Sequence, residues 1–344
     1  MKKRKIILDL FGSDDPSELI RGAAEASAMY DDVVLMITGD GDVINNVLNN
    51  YTFTDLSTRN RIGIIPAREI ITNGESPVSA LRSKKDATIV KALYALRDDD
   101  EAVGLIAAGN TGAVLAGSVL ILGKAEGVLT PSVLSLIPVE NGGVTCILDC
   151  GARVDCEARH LVQYALIGTA FMESFAGKSN PSVALLSIGT EDTKGNRVTK
   201  EAYTALKALP INFQGNTEAC DILRGKHDVI VCDGFTGNVV IKAVEGTVRY
   251  LSELFQKTVH DHRKDDEFIK SASIITKNIG QALDFNTLGG AYMLGIRKPL
   301  VKLHGAAKGI CVKNAVGQIL ALAEGGYMEK INRLLAKYSR NIRV

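Results

Sequence analysis

The chain has 344 residues, 46% of them hydrophobic, with 40 Lys+Arg against 39 Asp+Glu and no Trp. Such a chain can bury a large core, in one α/β unit or in two lobes. The near-neutral balance, the absence of a polybasic tract and the few aromatics argue against a nucleic-acid binder, which needs a positive footprint and stacking platforms; small anions remain suitable ligands.

The first segment, "MKKRKIILDLFGSDD", has a basic tip, but its apolar run stops at Asp9, far short of a signal-peptide core or a membrane span, so a cytoplasmic chain is expected. "KIILDL" reads as a strand. Asp15 as cap, Pro16 at the first position and Glu18 in the first turn then open a helix to about Tyr30, with Leu19, Ala23 and Ser27 facing inward. "VVLMIT", a helix over "DVINNVLNN" and "RIGII" continue a βαβα pattern. "SALRSKKDATIVKALYAL" reads as one helix with the stripe Leu81, Lys85, Thr88, Ala92 and Ala95 or Leu96. Lys84 and Lys85 there either border a polar pocket or snorkel over an apolar surface.

The run through Val103, Leu105 and Ile106 gives way at Gly109 to "AAGNTGAVLAG", a strand, a tight turn and a helix start capped by Asn110 or Thr111. The first amides of a helix have no internal partners, so Gly109, Asn110, Thr111 and Gly112 could cradle an anion, phosphate above all. An ordinary connection with glycines for tight packing explains the stretch equally well. No GxGxxG follows this strand and no GxxxxGK[ST] occurs in the chain, so a nucleotide is not indicated.

Later strands read "SVLSLIP", "VTCILDC", "SVALLSI", "DVIVCD" and "PLVKLH", several of them apolar on both faces as strands covered on both sides must be. The alternation is interrupted at about 245–283 by two long helical runs. No repeat, low-complexity tract or linker divides residues 1–340, which are expected to form a single catalytic unit, in one body or two lobes. Polar and glycine signals follow the strand ends: Asp9, Gly12 and Asp14; Gly109 to Thr111; Asp149 and Gly151; Gly189 to Asn196; Asp233 to Asn238; His304 and Gly305. In a parallel sheet these would share one ligand-binding edge.

Among them, Lys194 in "SIGTEDTKGN", with Asn196 nearby, is either an anion or carbonyl ligand or part of a solvated loop. Gly234 and Gly237 after Asp233, with Asn238 opening the next helix, form a second candidate cradle with the same two readings. His304 ends a strand beside Gly305. The six cysteines lack CxxC spacing and read as reduced thiols; His260 and His262 lack a nearby third ligand, so no metal is expected. The absence of a GxSxG elbow or a cysteine in a nucleophile context argues against an acyl-enzyme.

Taken together, "SALRSKKDAT", "AAGNTGAVLAG", "LDCGARVDCEARHL", "SIGTEDTKGN", "INFQGNTEACDIL", "VCDGFTGNVVIKAVEG", "ALDFNTLGGAYMLGI" and "VKLHGAAKG" resemble, in order and spacing from about Lys5 to Gly317, the PlsX family of phosphate acyltransferases. The resemblance implies a three-layer α/β/α, mostly parallel sheet similar to the isocitrate dehydrogenase and phosphotransacetylase fold. It implies transfer of a fatty acyl group from acyl carrier protein to inorganic phosphate, no organic cofactor, a homodimer and a peripheral membrane contact. The sequence departs from the family words at Ser13, Arg153, Tyr292, Ala306 and Ala307, the last two removing hydroxyls near His304.

Phosphate is already anionic at neutral pH, and a thiol leaving group with a pKa of about 8.5 needs no strong acid. Amide donors, Asn and Lys then suffice for positioning and for the oxyanion, with Lys194 and Asn238 assisting and His304 as a further helper. The rival readings are a phosphotransacetylase acting on acyl-coenzyme A, a metal-dependent NAD dehydrogenase of the related fold, and a non-catalytic acyl-carrier or lipid-binding protein of the same fold. Basic residues Arg249, Lys257, Arg263 and Lys264 would dock an acidic carrier protein, and the stripe Val248, Leu251, Leu254, Phe255 and Val259 would meet core, a second subunit, acyl chains or membrane.

Overall fold

The computed structural model describes residues 4–53, 55–140, 142–261, 269, 272 and 289–338. Its helices are α1 (Pro16–Met29), α2 (Gly41–Asn49), α3 (Leu56–Asn60), α4 (Pro77–Ser83), α5 (Thr88–Asp98), α6 (Thr111–Gly117), α7 (Ala158–Phe175), α8 (Arg197–Lys207), α9 (Gly234–Asp261), α10 (Gly309–Glu324) and α11 (Tyr327–Lys337). Eleven strands, β1 (Arg4–Asp9), β2 (Val33–Gly39), β3 (Ile62–Pro66), β4 (Ala102–Ala107), β5 (Ser132–Pro138), β6 (Val144–Leu148), β7 (Val183–Leu186), β8 (Phe213–Thr217), β9 (Val229–Val231), β10 (Ala291–Leu294) and β11 (Leu300–Lys302), form one sheet in the order β3-β2-β1-β4-β11-β10-β5-β6-β9-β7-β8.

Strand alternation divides the core into two faces. Ile6, Leu8, Ile106 and Val301 pack beneath α1, α7 and α10, while Ile7, Leu105, Leu300 and Met293 pack beneath α4, α5 and α6. This is the three-layer α/β/α arrangement expected. Helix α1 starts where its caps predict: the Asp15 carboxylate accepts from the Glu18 amide at 3.0 Å, with Pro16 at the first position.

The sheet is mostly parallel, as expected, but three other expectations are corrected. First, the expected single ligand-binding edge is split, because β10 runs antiparallel to both β11 and β5, and β5 antiparallel to β6. The strands β3-β2-β1-β4-β11 therefore point one way and β6-β9-β7-β8 the other. The loops after β1, β4 and β11 lie at one edge, those after β6, β7 and β9 at the opposite one, so the polar loops do not share an edge.

Second, "SALRSKKDATIVKALYAL" is two helices, α4 and α5, separated by Lys84 to Ala87, so Leu81 and Lys85 share no stripe with Thr88 and Ala92. The break is held by local bonds: the Arg68 and Glu69 amides both donate to the Asp86 carbonyl at 3.2 Å, and the Thr88 amide donates to the Glu69 carbonyl at 2.9 Å.

Third, the helix expected from about Glu245 begins at Gly234, and α9 runs unbroken for 28 residues; the second expected helix lies outside the described residues. Asp233 starts α9, its carboxylate accepting from the Thr236 amide at 2.8 Å and from the Thr236 hydroxyl at 2.7 Å. Of its 28 residues only Gly234, Gly237 and Ile241 are buried, so α9 is not a core helix and Leu251 and Leu254 stay exposed.

Candidate active site

The turn after β4 is built by close approach. A Cβ on Gly12 would stand 2.2 Å from the Gly109 Cα, so the loops after β1 and β4 touch backbone to backbone, which only glycine permits here. Asn110, buried, fixes the rest: its Oδ1 accepts from the Ala113 amide at 2.9 Å and its Nδ2 donates to the Thr72 carbonyl at 2.8 Å. Gly112 admits Pro77, whose Cγ would lie 2.6 Å from an added Cβ. Among the described residues, the amides of Gly109, Asn110, Thr111 and Gly112 donate to no protein acceptor. Tight packing and an open row of donors thus coexist in one turn.

Lys84 supports this turn from outside. Its Nζ bonds the Ile70 carbonyl and Glu75 Oε1, each at 2.8 Å, which holds the loop carrying Thr72. That bond, with the Thr72 amide, pulls the Glu75 carboxyl down to about 2. Lys85 reaches only the Leu81 carbonyl, at 3.4 Å.

Next to the turn, three strands place a polar row on one face of the sheet. Asp9 and Lys302 both pair with Ala107, so a carboxylate on β1 and an ammonium on β11 flank a methyl group on β4. Burial pushes the Asp9 carboxyl up to about 6, opposed by the Thr88 hydroxyl and then by the Lys302 charge. Burial likewise lowers Lys302 to about 8, opposed by Asp9. Asp9 Oδ1 has no hydrogen-bond partner among the described residues. Lys302 Nζ donates to the Ala108 carbonyl at 3.3 Å and to the Leu303 carbonyl.

Lys302 opens into a cavity of about 960 Å³, behind which Asp9 stays buried. One end carries Asp14, Gly109, Thr111, Lys302, His304 and Gly305. Its wall along the sheet is mostly apolar, with Val133, Leu136, Ala291 and Met293 from β5 and β10 beside the hydroxyl-bearing Ser135. The opposite wall is one face of α9, Asn238, Ile241, Lys242, Glu245, Val248, Arg249 and Ser252, spaced by three or four residues as a helix face demands. His304 Nδ1 accepts from the Ala306 amide at 3.3 Å, which leaves Nε2 as the nitrogen facing outward.

Of the residues singled out in the sequence, the structure therefore brings Gly109, Thr111, Asn238 and His304 to one cavity, with Asn110, Gly112 and Lys84 shaping its rim. It does not bring Lys194 or Asn196 there: Lys194 is exposed on the loop after β7, at the opposite sheet edge, and Asn196 caps α8 by accepting from the Thr199 amide at 2.9 Å. Gly234 and Gly237 are packing glycines, since a Cβ on them would meet the Arg153 carbonyl oxygen at 2.6 Å and the Asp149 carbonyl oxygen at 2.0 Å. The Gly234 amide is also taken, by Arg153 O at 2.9 Å, so this second turn is filled by the chain itself. Asp149 organises that turn, accepting from the amides of Val133, Ala152 and Arg153 at 2.9, 3.0 and 2.7 Å.

Sequence reasoning missed Lys302. The available signal was a lysine inside "PLVKLH", a run otherwise apolar enough for a buried strand.

A family model described as "Fatty acid synthesis protein" matches residues 4–330. The chain is 36% identical over 340 residues to a phosphate acyltransferase from Clostridioides difficile (strain 630), covering 97% of each, and 40% identical over 316 residues to one from Halothermothrix orenii, covering 91% of this chain and 92% of that one. Among solved structures, a phosphotransacetylase from Streptococcus pyogenes has the same fold, with a TM-score of 0.61 at 17% identity over 94% of each chain. The EutD phosphotransacetylase from Staphylococcus aureus gives 0.58 at 16% identity, again over 94% of each.

Proposed function

This chain belongs to the PlsX family of phosphate acyltransferases, and on that premise we propose that it moves a fatty acyl group from acyl carrier protein to inorganic phosphate, releasing acyl phosphate for phospholipid synthesis. The observation that carries the reading is the two-sided cavity, an apolar wall leading to a polar end with four unpartnered amides. A fatty acyl chain suits the first and a small oxyanion the second.

In the proposed reaction a phosphate oxygen attacks the thioester carbonyl, the C–O bond forms, and the C–S bond of the tetrahedral intermediate breaks. The thiolate leaves and takes its proton from water. The amides of Gly109 to Gly112 hold the phosphate, and His304 donates to the carbonyl oxygen as its charge grows, while Asn238 lines the cavity farther along α9, beside Gly151. No step requires a protein nucleophile. Residues 1–340 are taken as one catalytic unit, and no cofactor is assigned.

Arg249 and Lys257, both exposed on α9, are the proposed docking charges for the acidic carrier protein, while Arg263 and Lys264 lie outside the described residues. The exposed Tyr250, Leu251 and Leu254 are proposed to meet a second copy of the chain, with a peripheral membrane surface as the other cover. No described helix is long and apolar enough to cross a membrane.

The test is incubation with acyl carrier protein or coenzyme A thioesters of matched chain length plus phosphate, trapping acyl phosphate as hydroxamate. Production from the carrier-protein thioester is expected, and a preference for coenzyme A would refute the donor assignment. Unchanged rates in both Asn238→Ala and His304→Ala would refute the site, and a loss in Lys194→Ala would give the exposed loop after β7 a part that the cavity of one chain does not explain.

A further inference from the structure

A structural ion pair buried in a sheet closes to contact, because separated charges lose solvation without recovering it from each other. Asp9 and Lys302 do not close. Their strands are separated by β4, which sets their backbones about 10 Å apart across Ala107. Asp9 is 1% exposed and leaves Oδ1 unpartnered, while Lys302 lines the cavity with Gly109, Thr111 and His304. An ammonium has three hydrogens, and carbonyls take two of those of Lys302, leaving one for a ligand. The Ala108 carbonyl that it bonds belongs to the peptide unit whose nitrogen is that of Gly109. The charge therefore polarises the first unpartnered amide of the turn and makes it a better donor.

We propose that Lys302 is the cationic ligand of the phosphate substrate, and that Asp9 is the positioning residue that keeps its ammonium charged and aimed across Ala107. The assignment rests on the phosphate acyltransferase reading and adds to it a residue that binds the nucleophile. Burial alone would lower the charged fraction of Lys302 toward neutral pH, and the Asp9 carboxylate opposes this. The other charged and titratable groups at the cavity are Asp14 and His304 on the loops after β1 and β11, Lys242, Glu245 and Arg249 on α9, and the thiols of Cys150 and Cys311; Lys242 and Glu245 pair with each other at 2.7 Å.

The test compares wild type, Lys302→Gln, Lys302→Arg, Asp9→Asn and the Asp9→Asn/Lys302→Gln double variant. Phosphate binding is read from ³¹P line broadening without any acyl donor, and KM for phosphate and for the acyl donor from hydroxamate trapping. Lys302→Gln is expected to weaken phosphate binding about 10- to 100-fold, the range of a hydrogen bond to a charged group, with the acyl-donor KM little changed. Lys302→Arg should recover part of the loss. Asp9→Asn should weaken phosphate less than Lys302→Gln and add nothing in the Lys302→Gln background, as positioning through Lys302 requires. Unchanged phosphate binding in a folded Lys302→Gln protein, or a loss confined to kcat or to the acyl-donor KM, would overturn the assignment; additive losses in the double variant would overturn the role of Asp9. If wild type binds phosphate but forms no acyl phosphate, the functional reading fails while the phosphate ligand stands.

Discussion

Replacing Asn110 by Ala removes two hydrogen bonds at one buried position, and the loss can be worked through. The first is the helix cap to the Ala113 amide at 2.9 Å, and the second joins Nδ2 to the Thr72 carbonyl at 2.8 Å. A lost cap costs about 1 kcal/mol, and a second buried hydrogen bond costs about as much again, with more because its carbonyl is left without water. The sum is about 2–3 kcal/mol. Unfolding entropy of about 2.1 cal/mol/K per residue gives about 0.7 kcal/mol/K for a chain of 344 residues, so Tm should fall by about 3–4 °C. Asn110→Asp keeps the cap acceptor but sets a carboxylate oxygen against the Thr72 carbonyl at a buried position, so its Tm should fall at least as far as that of Asn110→Ala. Differential scanning calorimetry on the three proteins measures this directly. Within the proposed mechanism both variants also raise the phosphate KM, Asn110→Asp more than Asn110→Ala, because it sets a negative charge at the anion turn. An Asn110→Ala protein within about 0.5 kcal/mol of wild type would refute the reasoning, since solvent would then be satisfying groups that the fold holds dry.

Gly12→Ala forces backbone apart at the Gly109 contact and should cost at least about 1–3 kcal/mol, whereas Gly41→Ala, with nothing within 4 Å, should be near neutral; urea unfolding of both decides it. Asp149→Ala strands the buried Val133 amide and the half-buried amides of Ala152 and Arg153 and should cost about 3 kcal/mol in the same assay. Asp9 gives a pH signature. Its folded pKa, about 6, lies above the ordinary 3.8, so between those values the folded chain keeps a proton that the unfolded chain releases. The Asp9 contribution to stability therefore falls as pH rises through this window, by about 3 kcal/mol in all. Asp9→Asn should lack the fall, so its stability relative to wild type should rise from pH 4 to pH 6.5; a constant difference would contradict the shift.

Much of the fold was legible because its determinants are local. The Asp15–Pro16–Glu18 entry, the "KIILDL" strand and the cap at Asn110, one of the two residues expected there, each act within a turn or a strand, and the structure has them where the residue pattern placed them. The turn at Gly109 was legible too; its glycines serve the Gly12 contact, and its amides are left open beside it. The break between α4 and α5 was hidden because "SKKDAT" carries neither Gly nor Pro, and the bonds that end α4 come from Arg68 and Glu69.

By itself the sequence determined the family, the α/β class, the helix entries and the glycine turns, since these depend on residue types at short spacing. Only the tertiary structure decided which turns face one another. The strand β10 pairs antiparallel on both sides and, with β5, reverses the sheet, sending the Lys194 and Asp233 loops to the far edge, from which α9 runs back along the cavity from Asn238 to Ser252. The same long-range pairing set Asp9 and Lys302 in one row across Ala107, residues 293 positions apart whose relation no local pattern can express.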